Sequence, residues 1–326
     1  MPGDAPLSPR AKRERFRALL ERKALSVMPG GFSPAYARVA EIAGFECFFV
    51  AGSQMSAFLL GVPDNGILGL RDVADHVRHV ADRTSLAVFV DADTGYGNAV
   101  NVHYTVREFV NAGVAGMQIE DQEAPKKSGT GAGRRCISTQ EAIGKYRAAV
   151  AARNEIDPSF VLCARTDSLG SEGGSFEDAV LRCIAYAKEG GVDFVWLNSI
   201  HTLEQVEEAC SRIPVPVLAS WLGPKPTPAL EEFERRGLRI LLHPAIAASS
   251  GLQAAWHVLH DMKVRGSAAI DEWAAAARQT PYGVADLKKI FDAENIRRIE
   301  EACLPEEQRR DYARTHGGET PLDPRK

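Results

Sequence analysis

The chain has no CxxC pair, no basic run interleaved with aromatics, and no uninterrupted apolar stretch of the ~18 residues a membrane-crossing helix requires. Each absence removes a class of function. Six cysteines, at positions 47, 136, 163, 183, 210 and 303, lack metal-finger spacing and read as reduced thiols, which places the protein in the cytoplasm. A formal net charge of -4 gives no surface for nucleic acid. The N-terminus carries Arg10, Lys12, Arg13 and Arg15 without the apolar core of an export signal, so no membrane partner is expected either. Histidines are few, eight in 326 residues, and none is spaced among acids in a zinc-binding pattern.

What the chain does carry is an alternation. With 45% hydrophobic residues it can bury a large core. Eight short apolar runs fall at residues 24–28, 45–50, 86–90, 115–119, 160–164, 194–197, 215–219 and 238–242. Helical patterns follow them at 34–43, 70–84, 100–112, 139–152, 176–189, 203–211, 228–236 and 246–260. An amphipathic stretch at 9–23, with Phe16, Leu19 and Leu20 on one side, precedes them all. Strand–helix alternation implies parallel strands joined by right-handed crossovers. The count predicts an α/β fold, a (β/α)8 TIM-type barrel over residues 1–262, with a doubly wound open sheet as the alternative. Residues 263–326 form a polar helical extension, with helices expected at 271–278 and 285–301, which either embraces a neighbouring subunit or simply caps the barrel.

Barrel chemistry belongs at the C-terminal ends of the strands. There stand Gly52 and Ser53, Asp91 and Asp93, Glu120 and Asp121, Arg165, Asn198, Ser220 and His243, with Asp64 in the loop after the second strand. Asp91 and Asp93 are two residues apart, so on a continuing strand they share a face. So many carboxylates in one place call for a hard cation, Mg2+ or alternatively Mn2+, held through oxygen ligands and water. Arg165 can fork onto a substrate carboxylate, with the backbone amides of Gly52 and Ser53 taking its other oxygen; the competing reading pairs Arg165 with Asp167 or Glu120. His243, in Leu241-Leu242-His243-Pro244, is the one imidazole placed for acid–base work, or else is bonded to backbone.

Phe45 to Ala57 ending AGSQMSA, GVPDNG at 61–66, DADTGYGN at 91–98, IEDQ followed by Pro125-Lys126-Lys127, and ARTDS at 164–168 together resemble the isocitrate lyase and phosphoenolpyruvate mutase superfamily, in order and across residues 15–265. The resemblance implies a Mg2+-dependent barrel acting on small 2-oxo or 2-hydroxy acids, usually a homotetramer whose members exchange a C-terminal helix. It implies Asp91 as direct metal ligand, with Asp64, Asp93 and Glu120 holding its waters. It implies Arg165 and the amides of Gly52 and Ser53 as carboxylate binders, around an enolate that the metal stabilises while a neighbouring bond breaks or forms.

The departures narrow the choice. Isocitrate-type lyases carry Lys-Arg-Cys-Gly-His on the loop after the fourth strand, where this chain reads Lys126-Lys127-Ser128-Gly129-Thr130. Ser128 and Thr130 therefore stand as the candidate acids, with His243 and water; Cys136, eight residues beyond Ser128, is the remaining thiol on the loop. Asn198 replaces a glutamate, Ser220-Trp221-Leu222 replaces Asn-x-Thr, Ala51 replaces a serine, and Gln122 replaces the lysine of the mutases. Phe49, Trp196, Trp221 and Leu222 suit a pocket more apolar than a tricarboxylate wants. The loop from Lys126 to Arg135, glycine-rich and cationic, can close over an anion. The expected activity is a carbon–carbon lyase acting on a malate-type 2-hydroxy dicarboxylate and releasing a 2-oxo acid through a metal-bound enolate. The alternatives are an oxaloacetate-type decarboxylase or hydrolase, a phosphonopyruvate-type mutase, and, from another class, a non-catalytic binding barrel.

Overall fold

The computed structural model describes residues 6–279, 290–291 and 293–312. Eight strands close into a barrel in chain order: β1 (Ser26–Gly31), β2 (Cys47–Val50), β3 (Ala87–Asp91), β4 (Gly116–Glu120), β5 (Val161–Thr166), β6 (Phe194–Leu197), β7 (Val217–Ala219) and β8 (Ile240–His243). Each pairs in parallel with the next, and β8 with β1. Their residues are buried almost throughout, which is why they read as continuous apolar runs rather than as alternating ones. The barrel is therefore the architecture, and the open sheet is not.

The crossovers begin where the sequence caps them. Ser33 caps α2 (Pro34–Ile42), Ser138 caps α6 (Thr139–Ile156), Ser175 caps α7 (Phe176–Ala185) and Thr202 caps α8 (Leu203–Arg212), each side chain accepting from a backbone N–H of the first turn. The intervening helices are α3 (Gly52–Met55), α4 (Leu70–Ala81) and α5 (Ala99–Asn111), with α9 (Leu230–Arg235) and α10 (Ile246–Arg265) completing the ring. Two departures from the sequence reading have physical causes. β1 runs through Pro29-Gly30-Gly31 because Gly30 has no side chain: a Cβ there would lie 2.2 Å from the Pro244 carbonyl oxygen. The helical turns of α3 and the wide turn Ser56–Leu60 that follows carry no amphipathic signature, and were not foreseen.

The first helix, α1 (Pro9–Glu21), plugs the N-terminal end of the barrel. Phe16 sits 5.4 Å from Phe89 and 5.8 Å from Phe194, centroid to centroid. Lys12 and Arg13 are buried. Lys12 Nζ donates to the Ala81 carbonyl, and Arg13 donates to the carbonyls of Val114 and Val110 and to Asp157.

Pro6–Trp273 forms one compact unit; the described residues from Ala274 onward belong to a second, which contains the helix Glu294–Cys303 and a 3-10 turn at Glu306–Gln308. Helix Ser267–Gln279 includes the stretch expected at 271–278, whereas the first part of the stretch expected at 285–301 lies outside the described residues. Among the described residues no helix is long and apolar enough to cross a membrane.

Candidate active site

β3 ends at Asp91, and the chain then turns through the left-handed region at Asp93 (φ +46), Gly95 (φ +87) and Tyr96 (φ +59). Glycine is required at position 95, where a Cβ would also meet Val102 at 2.6 Å. Asp93 is thus brought round by a turn rather than by strand alternation, and its N–H donates to Asp91 Oδ1 at 3.1 Å. The two carboxylates still converge, because a Cβ on Gly52 would lie 3.0 Å from Asp91 Oδ2 and 3.2 Å from Asp93 Oδ1. The Gly52 amide donates to Asp91 Oδ2 at 3.1 Å, so in this state it serves the acid.

Lys126 lies at the centre of the acids. Its ammonium is 2.6 Å from Asp64 Oδ1 and 2.8 Å from Asp93 Oδ1, and the residue is 2% exposed. Beside them Glu120 is wholly buried; Oε2 is 3.0 Å from Arg165 Nη1, yet neither carboxylate oxygen has an aligned hydrogen-bond partner. Burial pushes Asp93 up to about 6 in spite of Lys126, and pushes Glu120 well above the carboxylate range in spite of Arg165. The cluster is short of positive charge.

Arg165 stacks on Trp196, with its guanidinium carbon 4.4 Å from the ring centroid. Asp167 holds it through contacts of 2.9 Å at Nε and 3.0 Å at Nη2. Asp167 also accepts from Asn198 Nδ2 at 2.6 Å and from Arg134 Nη1 at 2.9 Å. Those same two donors take the Gly129 carbonyl, at 2.8 Å each. The loop after β4 is therefore folded down and pinned. Gly129 fits only because it lacks a side chain, since a Cβ would lie 2.1 Å from Arg165 Nη2. Gln122 braces the loop by bonding the backbone of Lys127 in both directions.

Under the loop is a cavity of about 360 Å³ lined by Ser53, Asp64, Asp91, Ser128, Gly129, Thr130, Arg165, Asn198 and His243, with Phe49, Trp196, Ser220, Trp221, Leu222 and Leu242 among its other walls. Acids, a guanidinium, a hydroxyl-bearing loop and an aromatic wall thus meet at the C-terminal mouth of a closed barrel. Residues 16–263 match the family described as phosphoenolpyruvate phosphomutase. The chain belongs to that family.

Among its relatives are 2-methylisocitrate lyase of Aeropyrum pernix, 36% identical over 254 residues that make up 77% of this chain and 80% of that protein. Another is 2,3-dimethylmalate lyase of Eubacterium barkeri, 33% identical over 291 residues, 88% of this chain and 96% of that protein. Among solved structures, one of 2,3-dimethylmalate lyase, a member of the phosphoenolpyruvate mutase/isocitrate lyase superfamily, superposes with a TM-score of 0.79 at 29% identity, covering 91% of this chain and 96% of that one. One of oxaloacetate acetylhydrolase gives 0.78 at 29% identity, covering 92% and 98%.

Seen as a member of this family, the chain gathers most of its expected site residues. Ser53, Asp64, Asp91, Ser128, Thr130, Arg165, Asn198 and His243 line the cavity, while Asp93 and Glu120 are buried outside that lining. A hard divalent cation fits the donors: Glu120 has two buried oxygens without hydrogen bonds, and Asp91 presents a cavity-lining carboxylate. Among the described residues no three metal-ligating side chains are gathered tightly enough to hold an ion.

Other residues take different places from those expected. Cys136 does not line the cavity; its thiol lies 3.3 Å from Asp121 Oδ1, and burial together with that carboxylate pushes it far above a thiol's ordinary range. Lys126 and Arg134 are buried ion-pair partners rather than loose loop cations. Burial and Lys225 lower the pKa of His243, which favours its neutral form. Arg165 makes the pairing left as its alternative in the sequence, and makes it with both Asp167 and Glu120. Asp121, which had no assigned role, accepts from Thr166, Tyr186 and the Asp167 amide.

Proposed function

We propose that this member of the family is a Mg2+-dependent carbon–carbon lyase that cleaves a malate-type 2-hydroxy dicarboxylate and releases a 2-oxo acid. The observation that carries the reading is the buried cluster of Asp91, Asp93 and Glu120, in which both Glu120 oxygens lack a hydrogen bond, beside Arg165 at the mouth of the cavity. Keeping these groups together costs stability unless a cation and an anionic ligand complete the site. Asp91 would hold Mg2+, or Mn2+ in its place, while Asp64, Asp93 and Glu120 would hold its waters. When bound, that ion supplies the positive charge on which an enolate can be stabilised.

This chain's own residues do the rest. Arg165, braced by Asp167 and Trp196, orients the substrate carboxylate, and the Ser53 amide, with that of Gly52, takes its second oxygen. The folded loop, pinned through Gly129, covers the cavity. Ser128 or Thr130 delivers the proton to the departing carbon, with water as their relay, and neutral His243 accepts one from the substrate hydroxyl. Asn198 positions the loop through Gly129.

A second reading, hydrolysis or decarboxylation of an oxaloacetate-like acid, is favoured by one specific feature: the loop offers hydroxyls to the cavity, and its thiol points elsewhere. Such chemistry needs no cysteine acid. Product analysis separates the readings. Incubation with malate derivatives, oxaloacetate and phosphonopyruvate, with Mg2+ or with EDTA, is expected to give a 2-oxo acid and a carboxylic acid only with Mg2+. Carbon dioxide or oxalate as product would move the assignment to the second reading, and phosphate to a phosphonopyruvate enzyme. Absence of any turnover would leave a binding barrel.

We place the enzyme in the cytoplasm, consistent with six free cysteines, and read it as a homotetramer in which residues 263–326 extend the barrel of residues 1–262 for assembly. On α10, Leu252, Trp256, Leu259 and Val264 are all more than half exposed, an apolar surface that a second copy would cover. Analytical ultracentrifugation showing a monomer at micromolar concentration would remove the tetramer.

A further inference from the structure

The turn after β3 is held from the ring of helices as well as from the mouth. It keeps Asp93 and Tyr96, neither of them glycine, in the left-handed region, a conformation that persists only where the surroundings over-determine it. Four successive carbonyls show what does so. Those of Ala92 and Asp93 accept from the amides of Gly95 and Glu120, at 2.9 Å each. The next two accept from side chains: Thr94 from Lys145 Nζ on α6, and Gly95 from Thr105 Oγ1 on α5, at 3.1 Å each.

Lys145 is 5% exposed, and among the described residues its ammonium has this one carbonyl as hydrogen-bond partner and no ion pair. Burying an ammonium on a neutral oxygen is costly, and a methionine would fill much the same space without that cost. Lys12 on α1 is a matched case with a plain structural purpose. It is 3% exposed and donates to the Ala81 carbonyl, but Ala81 ends α4, so that ammonium caps a helix. Thr94 belongs to no helix and directly follows Asp93. What Lys145 holds is the turn that presents the acid.

We propose that Lys145 is a positioning residue of the metal site: with Thr105 it fixes the backbone on either side of the Thr94–Gly95 peptide, and so fixes where the Asp93 carboxylate stands. The inference rests on the proposed function, in which Asp93 holds the ion's waters, and adds to it a residue outside the cavity lining. Its sign sets it apart from Lys126. Lys126 touches the Asp93 carboxylate and competes with a cation for it, whereas Lys145 touches only a peptide oxygen and prepares the acid for one. If Lys145 acted through its charge alone, removing it would tighten the ion; because it acts through the turn, removing it loosens the ion.

The test is Mn2+ titration, followed by the paramagnetic resonance of the free ion, of the unaltered protein, Lys145→Met, Thr105→Val and Lys12→Met, with a urea midpoint measured for each. Lys145→Met is expected to bind Mn2+ about tenfold more weakly and Thr105→Val about threefold, the sizes of one charged and one neutral hydrogen bond. Lys12→Met is the control for removing a buried ammonium from a carbonyl, and is expected to lower the midpoint with Mn2+ affinity unchanged. Affinity unchanged or tighter in Lys145→Met, or weakened equally in Lys12→Met, would overturn the inference and leave the metal-dependent reading standing. Thr105→Val alters no charge and decides the matter should Lys145→Met not fold: unchanged affinity there would overturn the inference in the same way. Failure of the unaltered protein to bind Mn2+ would overturn both.

Discussion

Helix α1 at the N-terminal end of the barrel and the acids at its C-terminal mouth treat buried charge in opposite ways. At the N-terminal end α1 drives Lys12 and Arg13 into the protein, and both end on carbonyl oxygens or on Asp157, around a core in which Phe16 meets Phe89 and Phe194. At the C-terminal end both oxygens of Glu120, Trp196 Nε1 and Ser220 Oγ are buried without hydrogen-bond partners, and Asp93 Oδ1 has only the Lys126 ammonium beside it. A buried polar atom that the fold satisfies reports on stability. One that it leaves open reports on something the fold expects to bind.

The sharpest way to break this contrast is to remove one side chain from each end. Asp91→Ala is expected to lower turnover by at least ~1000-fold, a loss typical of removing a principal electrostatic group, with only a small change in the denaturation midpoint, because a charge repelling Asp93 goes together with the acceptor for the Gly52 and Asp93 amides and the Gln118 side chain. Phe16→Ala is expected to do the reverse, costing about 3–5 kcal/mol of stability with turnover per folded molecule unchanged. Turnover and urea denaturation measured on both proteins decide it; a large destabilisation by Asp91→Ala would mean that the mouth is built for stability after all.

Arg13→Met tests the satisfied end more finely. It strands the Val110 and Val114 carbonyls and Asp157, for an expected loss of about 3 kcal/mol, seen as a lower midpoint with unaltered KM. A change in KM would show that the two ends are coupled.

Lys126 belongs to the mouth but behaves like the satisfied end, since its ammonium neutralises Asp64 and Asp93. A divalent cation at the same acids shares their charge with it, and two cations drawing on the same carboxylates repel. Lys126→Met is therefore expected to tighten Mn2+ binding about tenfold, the size of a modest coupling between sites, in titrations followed by the paramagnetic resonance of free Mn2+. Weaker binding would mean instead that the lysine orients Asp64 and Asp93 for the ion's waters.

The same contrast marks how far the sequence could be read. The eight strands were legible because a parallel barrel buries both faces of each strand, leaving bounded apolar runs, and the acids at their ends followed from where the runs stop. Arg165 and Asp167 were legible as a possible pair, two residues apart at the end of β5. What could not be read depends on contacts between distant residues. Nothing local shows that Gly129 must be bare to pass over Arg165, that Pro29-Gly30-Gly31 continues a strand against Pro244, or that Lys12 and Lys126 find buried oxygens on other elements. A lysine in a sequence reads as solvated until the fold supplies its acceptor.

The smallest expected effect separates the ends by the sign of their response to pH. At the satisfied end burial would raise Asp157, but hydrogen bonds from Ser159 and Arg13 outweigh it and hold its folded pKa below the usual value. Its contribution is therefore fully present above the unfolded pKa of about 4 and is lost as pH falls through the lower folded value. Asp93 runs the other way. Burial raises it to about 6, so the folded protein holds that proton more tightly than the unfolded chain, and stability drains away as pH climbs from about 4 to about 6. Without added metal, stability measured across this interval is expected to fall in the unaltered protein relative to Asp93→Asn, which has no such proton to lose. Saturating Mg2+ should flatten the difference by stabilising the ionised acid. A fall of equal size in both proteins, with or without Mg2+, would assign the pH response to other groups and remove Asp93 from the open end's share of the charge imbalance.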